Sequence, residues 1–160
     1  MHKLTSNQAK VAFLSFENYV NGAVIQWHRI QESKTRLPGP GPGVDPILIW
    51  TLFLDIHFFF ICGDKVQNLL DCLAKSDGTH DLQNFWDNWK SRLKPFNDAR
   101  NHLEHLDSRI TSPKDYLSDF GNLHGDTYSF GGESYDVSIG ALIMLTAVYE
   151  EVIRLLDARP

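Results

Sequence analysis

The chain has little of what usually assigns a function outright. Its 15 lysines and arginines are outnumbered by 20 acidic residues, for a net charge of −5, so no whole-protein positive field gathers nucleic acid or anionic membrane. Any nucleic-acid contact has to be local. Cysteine is scarce: Cys62 and Cys72 fall in one expected helix, where ten residues of rise separate them by roughly 15 Å. A disulfide needs Cα atoms within about 7 Å, so reduced, buried thiols are expected. The opening MHKLTSNQAK places no apolar core behind a basic start, which argues against a secretory signal and for the cytoplasm. No Gly-rich phosphate loop, nucleophile elbow or paired-cysteine site suggests a familiar enzyme class. Long apolar runs are missing too: ILIWTLFLDIHFFFIC, Ile47 to Cys62, is shorter than the roughly 18 to 20 residues of a membrane span and is interrupted by Asp55 and His57. It reads as a core helix, with no membrane partner.

What is present is helical periodicity. With 160 residues, 42% of them hydrophobic, the chain suits one domain, residues 1–160, around a single core. After the N-cap candidate Ser6, the residues Phe13, Phe16, Val20, Ala23, Trp27 and Ile30 recur at steps of three and four, as on one face of a helix. The helix should stop near Lys34, where a Pro/Gly-rich loop over residues 34–45 cannot hold helical hydrogen bonds. Asp45-Pro46 reads as a capping carboxylate followed by proline at the first helical position, opening a second helix to about Ala74. Its first half is apolar nearly all round and so expected to be central to the core. Asp64, Asn68 and Asp71 then mark a polar stripe. Asp55 and His57, about 200° apart around the axis, should divide into one inward, hydrogen-bonded group and one near the edge.

The break SDGTH leads into a third helix marked by Leu82, Phe85, Trp86, Trp89, Leu93, Phe96, Leu103 and Leu106, with a kink expected at Pro95. TSPKDYLSDF suggests a short helix capped by Ser112, and TYSFGGESYDVS a hairpin turning at Gly131-Gly132, with Tyr128 opposite Tyr135. A last helix from about Val137 carries Leu142, Leu145, Tyr149, Val152 and Leu156, with Glu150 four residues before Arg154. The expected fold class is all-α: a four-helix bundle with a short helix and a small β-hairpin before the last helix.

The stretch that stands apart is DARNHLEHLDSR, residues 98–109. Asn101 and His105 lie one turn apart on one face. Arg100 sits about 140° from His105, with a side chain long enough to reach around or across to a partner chain. Arg100 is also four residues before Glu104, so an ordinary intrahelical ion pair is available. The spacing Arg100-x4-His105, with polar Asn101 directly after the arginine, resembles the R-x4-6-H signature of the HEPN superfamily, the higher eukaryotes and prokaryotes nucleotide-binding domains, and the helical setting resembles it as well. The resemblance implies a metal-independent, toxin-type endoribonuclease that needs no cofactor, acting on RNA as a homodimer with both copies of Arg100 and His105 at the shared site. Arg100 would hold the scissile phosphate, His105 would move a proton, and Asn101 would orient one of them. An antitoxin-like protein partner is part of the same implication. One departure is Asp107, where toxins paired with minimal nucleotidyltransferases often carry a tyrosine.

Two other readings use the same segment. Asp98, His102 and His105, spaced by four and three, line one face and read alternatively as a metal site with Glu104 nearby, although HLEH is one residue short of either zinc-protease pattern. Alternatively the bundle is a non-catalytic interaction or RNA-binding module, in which Arg100, Glu104 and His105 form a polar interface network. His28, His80 and His124 read as solvated, and Trp86 and Trp89 as packing residues.

Overall fold

Two side-chain caps set where the first helices begin. Ser6 Oγ accepts from the Ala9 amide at 3.0 Å and opens α1, Asn7–Arg36. Asp45 Oδ1 accepts from the Ile47 amide at 2.9 Å, with Pro46 behind it, and opens α2, Pro46–Asp77. Gly78, at φ 68°, ends α2 in the left-handed conformation, and α3, His80–Glu104, follows almost at once. The chain then forms β1 (Asn122–His124), β2 (Thr127–Phe130) and β3 (Glu133–Asp136) before α4, Ile139–Asp157, capped by Ser138. This computed structural model describes residues 4, 6–37, 45–104, 122–130 and 132–159. The short helix expected after Ser112, most of the Pro/Gly-rich loop, and His105, Leu106 and Asp107 lie outside the described residues.

The all-α expectation holds, with a small antiparallel sheet placed before the last helix. α1 and α2 pack as an antiparallel pair: Arg29 reaches Asp55, Gly22 faces the Cys62 sulfur, and Ser6 Oγ donates to the Ser76 carbonyl at 3.1 Å. α2 also packs against α3, closely enough that a Cβ on Gly63 would stand 2.3 Å from the Phe96 ring. α4 leans mainly on α1, where the Tyr149 hydroxyl donates to Glu17 at 2.6 Å. That bond and burial push the Tyr149 phenol up to about 12. Phe13, Phe16, Val20, Ala23 and Ile30 are buried as their spacing predicts, as are Leu142, Leu145, Val152 and Leu156 of α4.

The sheet covers one end of the bundle. Tyr128 pairs with Tyr135, the register read from the hairpin, and their rings reach Phe53 and Phe60 of α2 at 5.9 and 5.8 Å. The turn glycine Gly132 has φ 80°. Strand β1 was not expected; it joins β2 through Gly125, at φ 59°, and Asp126, which forms an ion pair with Lys34 at the end of α1.

Four expectations need correction. α1 runs on through Lys34 to Arg36, so the loop begins later than residue 34. His80 begins α3 rather than sitting in a loop. Arg154 pairs with Glu151, three residues before it, through contacts of 2.5 and 2.7 Å, and not with Glu150. Most importantly, the first half of α2 is not buried all round. Leu52, Ile56, Phe59 and Phe60 are inside, whereas Ile47, Trp50, Leu54 and Phe58 are 73%, 58%, 56% and 49% exposed. These four recur at steps of three and four, so they make one outward stripe. By length and composition alone α2 is long and apolar enough to cross a membrane, with 39% of its most apolar window buried in the bundle.

Candidate functional site

The polar groups of the second and third helices meet along the contact between them. Asp64, read from the sequence as part of a polar stripe, is 1% exposed and faces α3. Its Oδ1 accepts from Asn97 Nδ2 at 2.6 Å and from Asn68 Nδ2 at 3.0 Å. Asn97 Oδ1 accepts from Asn101 Nδ2 at 3.0 Å, and Asn101 Oδ1 accepts from Arg100 Nη1 at 2.7 Å. The chain of bonds therefore runs Arg100 to Asn101 to Asn97 to Asp64. Its direction is fixed at both ends: a guanidinium only donates and an ionised carboxylate only accepts, so each amide between them has one way round.

Arg100 is the hinge of this seam. Its Nη2 lies 2.7 Å from Glu104 Oε2, the intrahelical pair that the four-residue spacing allowed, and its Nε lies 4.0 Å from Asp64 Oδ2. The side chain keeps 28% of its surface exposed, so the guanidinium stands at the boundary between the seam and solvent. Asp64 Oδ2 itself accepts no hydrogen bond among the described residues, although it is buried. A buried carboxylate oxygen left without a donor is costly and calls for an explanation, of which a functional role is one.

His57 joins the same seam from α2. The two helices run antiparallel and Asp64 meets Asn97, so about two turns back on α2 and two turns on along α3, His57 stands level with Glu104. Burial holds the His57 imidazole below its ordinary value of 6.5; the Glu104 carboxylate opposes that shift and the Arg100 guanidinium adds to it. Its Nε2 is buried and has no hydrogen-bond partner among the described residues. Asp55 takes the inward role that the sequence allotted to one of the two: it is 3% exposed and accepts from Arg29 Nε at 2.8 Å.

The structure thus brings Arg100 and Asn101 into direct contact, while His105 lies outside the described residues. The residues of the metal reading go different ways. Asp98 is held at the surface by Lys94, 2.6 Å away, whereas His102 is 5% exposed, with Nδ1 2.8 Å from the Tyr135 hydroxyl and its ring 5.0 Å from that of Phe130. Among the described residues no three His, Cys, Asp or Glu side chains are grouped as a metal site would need. Cys62 and Cys72 are free thiols, and burial pushes the Cys62 thiol up to about 11. Trp89 packs beside Phe85 and under the Arg92 guanidinium. A shallow, nearly apolar groove of about 440 Å³, between Val11 and Ala12 of α1 and Leu69 and Cys72 of α2, lies away from the seam.

Sequence reasoning left Asp64, Asn97 and His57 out of the site. A signal was there: His57 and Asp64 are seven apart, as are Asn97 and Glu104, a spacing that keeps each pair on one helical face. The unexpected β1 was equally within reach, since Gly125-Asp126 is a two-residue turn signal. Compared with known proteins, the chain matches no family model, no curated protein and no solved structure.

Proposed function

We propose that the chain is a HEPN-type helical bundle whose Arg100 centre cleaves RNA without metal, completed by a second copy of the chain. The observation that carries this reading is the hydrogen-bonded line from the partly exposed Arg100 through Asn101 and Asn97 to buried Asp64, which orients a guanidinium at the edge of the seam. A guanidinium so held suits the two-pronged grip of a phosphate and can offset charge that builds on it during displacement. The RNA's own 2′-hydroxyl would attack the adjacent phosphorus and the 5′-oxygen would leave, giving a cyclic phosphate, with His105 as the group that moves the proton. The exposed stripe Ile47, Trp50, Leu54 and Phe58 is the apolar surface on which a second copy would dock, closing a two-fold dimer. An antitoxin-like partner and a cytoplasmic setting belong to the same proposal.

The test is cleavage of single-stranded RNA by the purified protein in a chelator, with the products examined for a cyclic phosphate. Arg100→Ala and His105→Ala should each lower the rate by roughly two to four powers of ten with the fold retained, and the double variant should lose little more. Loss of cleavage on chelation and its return with zinc or manganese would move the assignment to a metal enzyme.

A second reading has its own support. Glu104 already neutralises Arg100 at 2.7 Å, as in a structural ion pair, so the seam and the apolar stripe suit an interaction or RNA-binding module equally well. A folded dimer that cleaves no RNA offered to it would favour that reading.

A further inference from the structure

Two cations converge on one buried oxygen. Asp64 Oδ1 is taken by Asn68 and Asn97, and its Oδ2, which accepts no hydrogen bond among the described residues, has the Lys65 ammonium at 3.9 Å and Arg100 Nε at 4.0 Å. Two atoms that each lie so close to a third are close to one another, so a cation from α2 and a cation from α3 stand together at the mouth of the seam. Like charges repel at that separation, and the carboxylate beneath them, buried and so little screened by water, offsets the repulsion. Neither cation is spent there. Lys75, Lys90 and Lys94 each donate to an aspartate of their own helix at 2.5, 2.9 and 2.6 Å, whereas the partly exposed Lys65 ammonium makes no hydrogen bond among the described residues. Of the five N–H groups of Arg100, one goes to Asn101 and one to Glu104, which leaves three. Glu104 lies at the surface, so an anion can meet those donors with the Arg100–Glu104 pair intact.

We propose that Lys65 and Arg100 form a two-cation clamp for one RNA phosphate, with buried Asp64 as the counter-charge that holds the cations side by side. Charge-assisted hydrogen bonds are about 2.7–2.9 Å long, so a phosphate set between the two, with one non-bridging oxygen toward each, bridges the gap and replaces their mutual repulsion by two attractions. The ammonium is a point charge and the guanidinium a directed fork, so Lys65 supplies attraction and Arg100 supplies orientation. A contact to phosphate carries no base information, so the clamp adds affinity for any sequence. The inference rests on the reading that Arg100 binds RNA phosphate.

The probe is a short labelled single-stranded RNA methylated at every 2′-oxygen, which keeps its phosphates but lacks the attacking hydroxyl; binding to the full chain is read by fluorescence anisotropy across a range of salt, and each variant's fold by circular dichroism. Arg100→Ala should weaken binding by about tenfold or more, and Lys65→Ala by about three- to tenfold at low salt, with the loss shrinking as salt rises because it is electrostatic. Lys65→Arg should keep most of the affinity. Lys90→Ala removes an equal charge from the surface of α3, at a lysine already paired with Asp87, and should leave binding nearly unchanged. Without Arg100 the phosphate is no longer held where Lys65 reaches it, so the double variant should lose clearly less than the product of the two single losses. Losses that multiply in full would put the cations on separate phosphates and overturn the clamp. So would an equal effect of Lys90→Ala, or a Lys65→Ala loss that is the same at every salt concentration, which is the mark of a packing defect. Unchanged binding in Arg100→Ala overturns the proposed function and the clamp together, whereas a loss in Arg100→Ala with none in Lys65→Ala overturns the clamp alone.

Discussion

Three aspartates in α2 are buried almost completely, and two of them, Asp77 and Asp64, are treated in opposite ways. Asp77, at the end of the helix, is gripped by both nitrogens of the Arg159 fork, Nη1 at 3.0 Å and Nη2 at 2.7 Å, and accepts from Thr79 Oγ1 at 2.7 Å. Its charge is matched and both its oxygens are used. Asp64, in the middle, has amides on one oxygen, no hydrogen bond on the other, and its arginine no closer than 4.0 Å because Glu104 holds that guanidinium. The first arrangement joins the C-terminal segment to the α2–α3 corner and is complete in itself. The second leaves a carboxylate oxygen, an imidazole nitrogen and a partly exposed guanidinium with bonding capacity in hand, which is why the candidate site is placed at the seam and not at the corner.

That contrast can be broken by experiment, and the largest effect is expected at the corner. Asp77→Ala strands the Arg159 guanidinium in a buried setting and should lower the stability of the fold by about 3–5 kcal/mol, read from the midpoint of urea unfolding. A change below about 1 kcal/mol would mean that Asp77 is no more structural than Asp64. The next effect tests how tightly the seam is closed: Gly63→Ala places a methyl against the Phe96 ring and should cost about 1–3 kcal/mol by the same measurement, because Phe96 also packs on Phe59 and Phe60 and has no free direction in which to yield. Tolerance of alanine there would show that the two helices can part.

Asp64→Asn should be milder, within about 1 kcal/mol, since the new side chain keeps an oxygen for Asn68 and Asn97 and removes a charge whose cations, Lys65 and Arg100, come no closer than 3.9 and 4.0 Å. A loss as large as that of Asp77→Ala would make the two aspartates equivalent and leave the seam without its distinguishing feature. The smallest effect is in pH dependence. His57 has a folded-state pKa below its ordinary 6.5, so the unfolded chain binds the extra proton first, and stability should fall as pH drops below that value and be fully present above it. Comparing urea midpoints of the wild type and His57→Gln between neutral and mildly acidic pH should show a shallower decline in the variant; parallel curves would mean that His57 is not held neutral by its surroundings.

Much of the helix framework was legible in the residues alone. Ser6 and Asp45-Pro46 mark helix starts because a side-chain oxygen there satisfies an amide the helix cannot, and the apolar stripes of α1 and α4 name their buried faces because the helical period is fixed by backbone geometry. Tyr128 opposite Tyr135 followed from the length of the Gly131-Gly132 turn. The polar seam was not legible in the same way. Periodicity shows which residues share a face; it does not show what stands opposite, so Asp64 read only as part of a polar stripe until α3 was laid across it, and Ile47, Trp50, Leu54 and Phe58 read as core although they are exposed among the described residues.

The sequence by itself determined where the helices begin, which residues each holds on one side, and that Arg100, Asn101 and Glu104 would be neighbours, because those relations depend only on rise and turn along a single chain. Only the tertiary structure decided that Asp64 and His57 belong with them, that His102 turns to Tyr135, and that Asp77 closes on Arg159. Those are relations between segments far apart in the chain, set by which faces pack and at what register, and no local spacing encodes them.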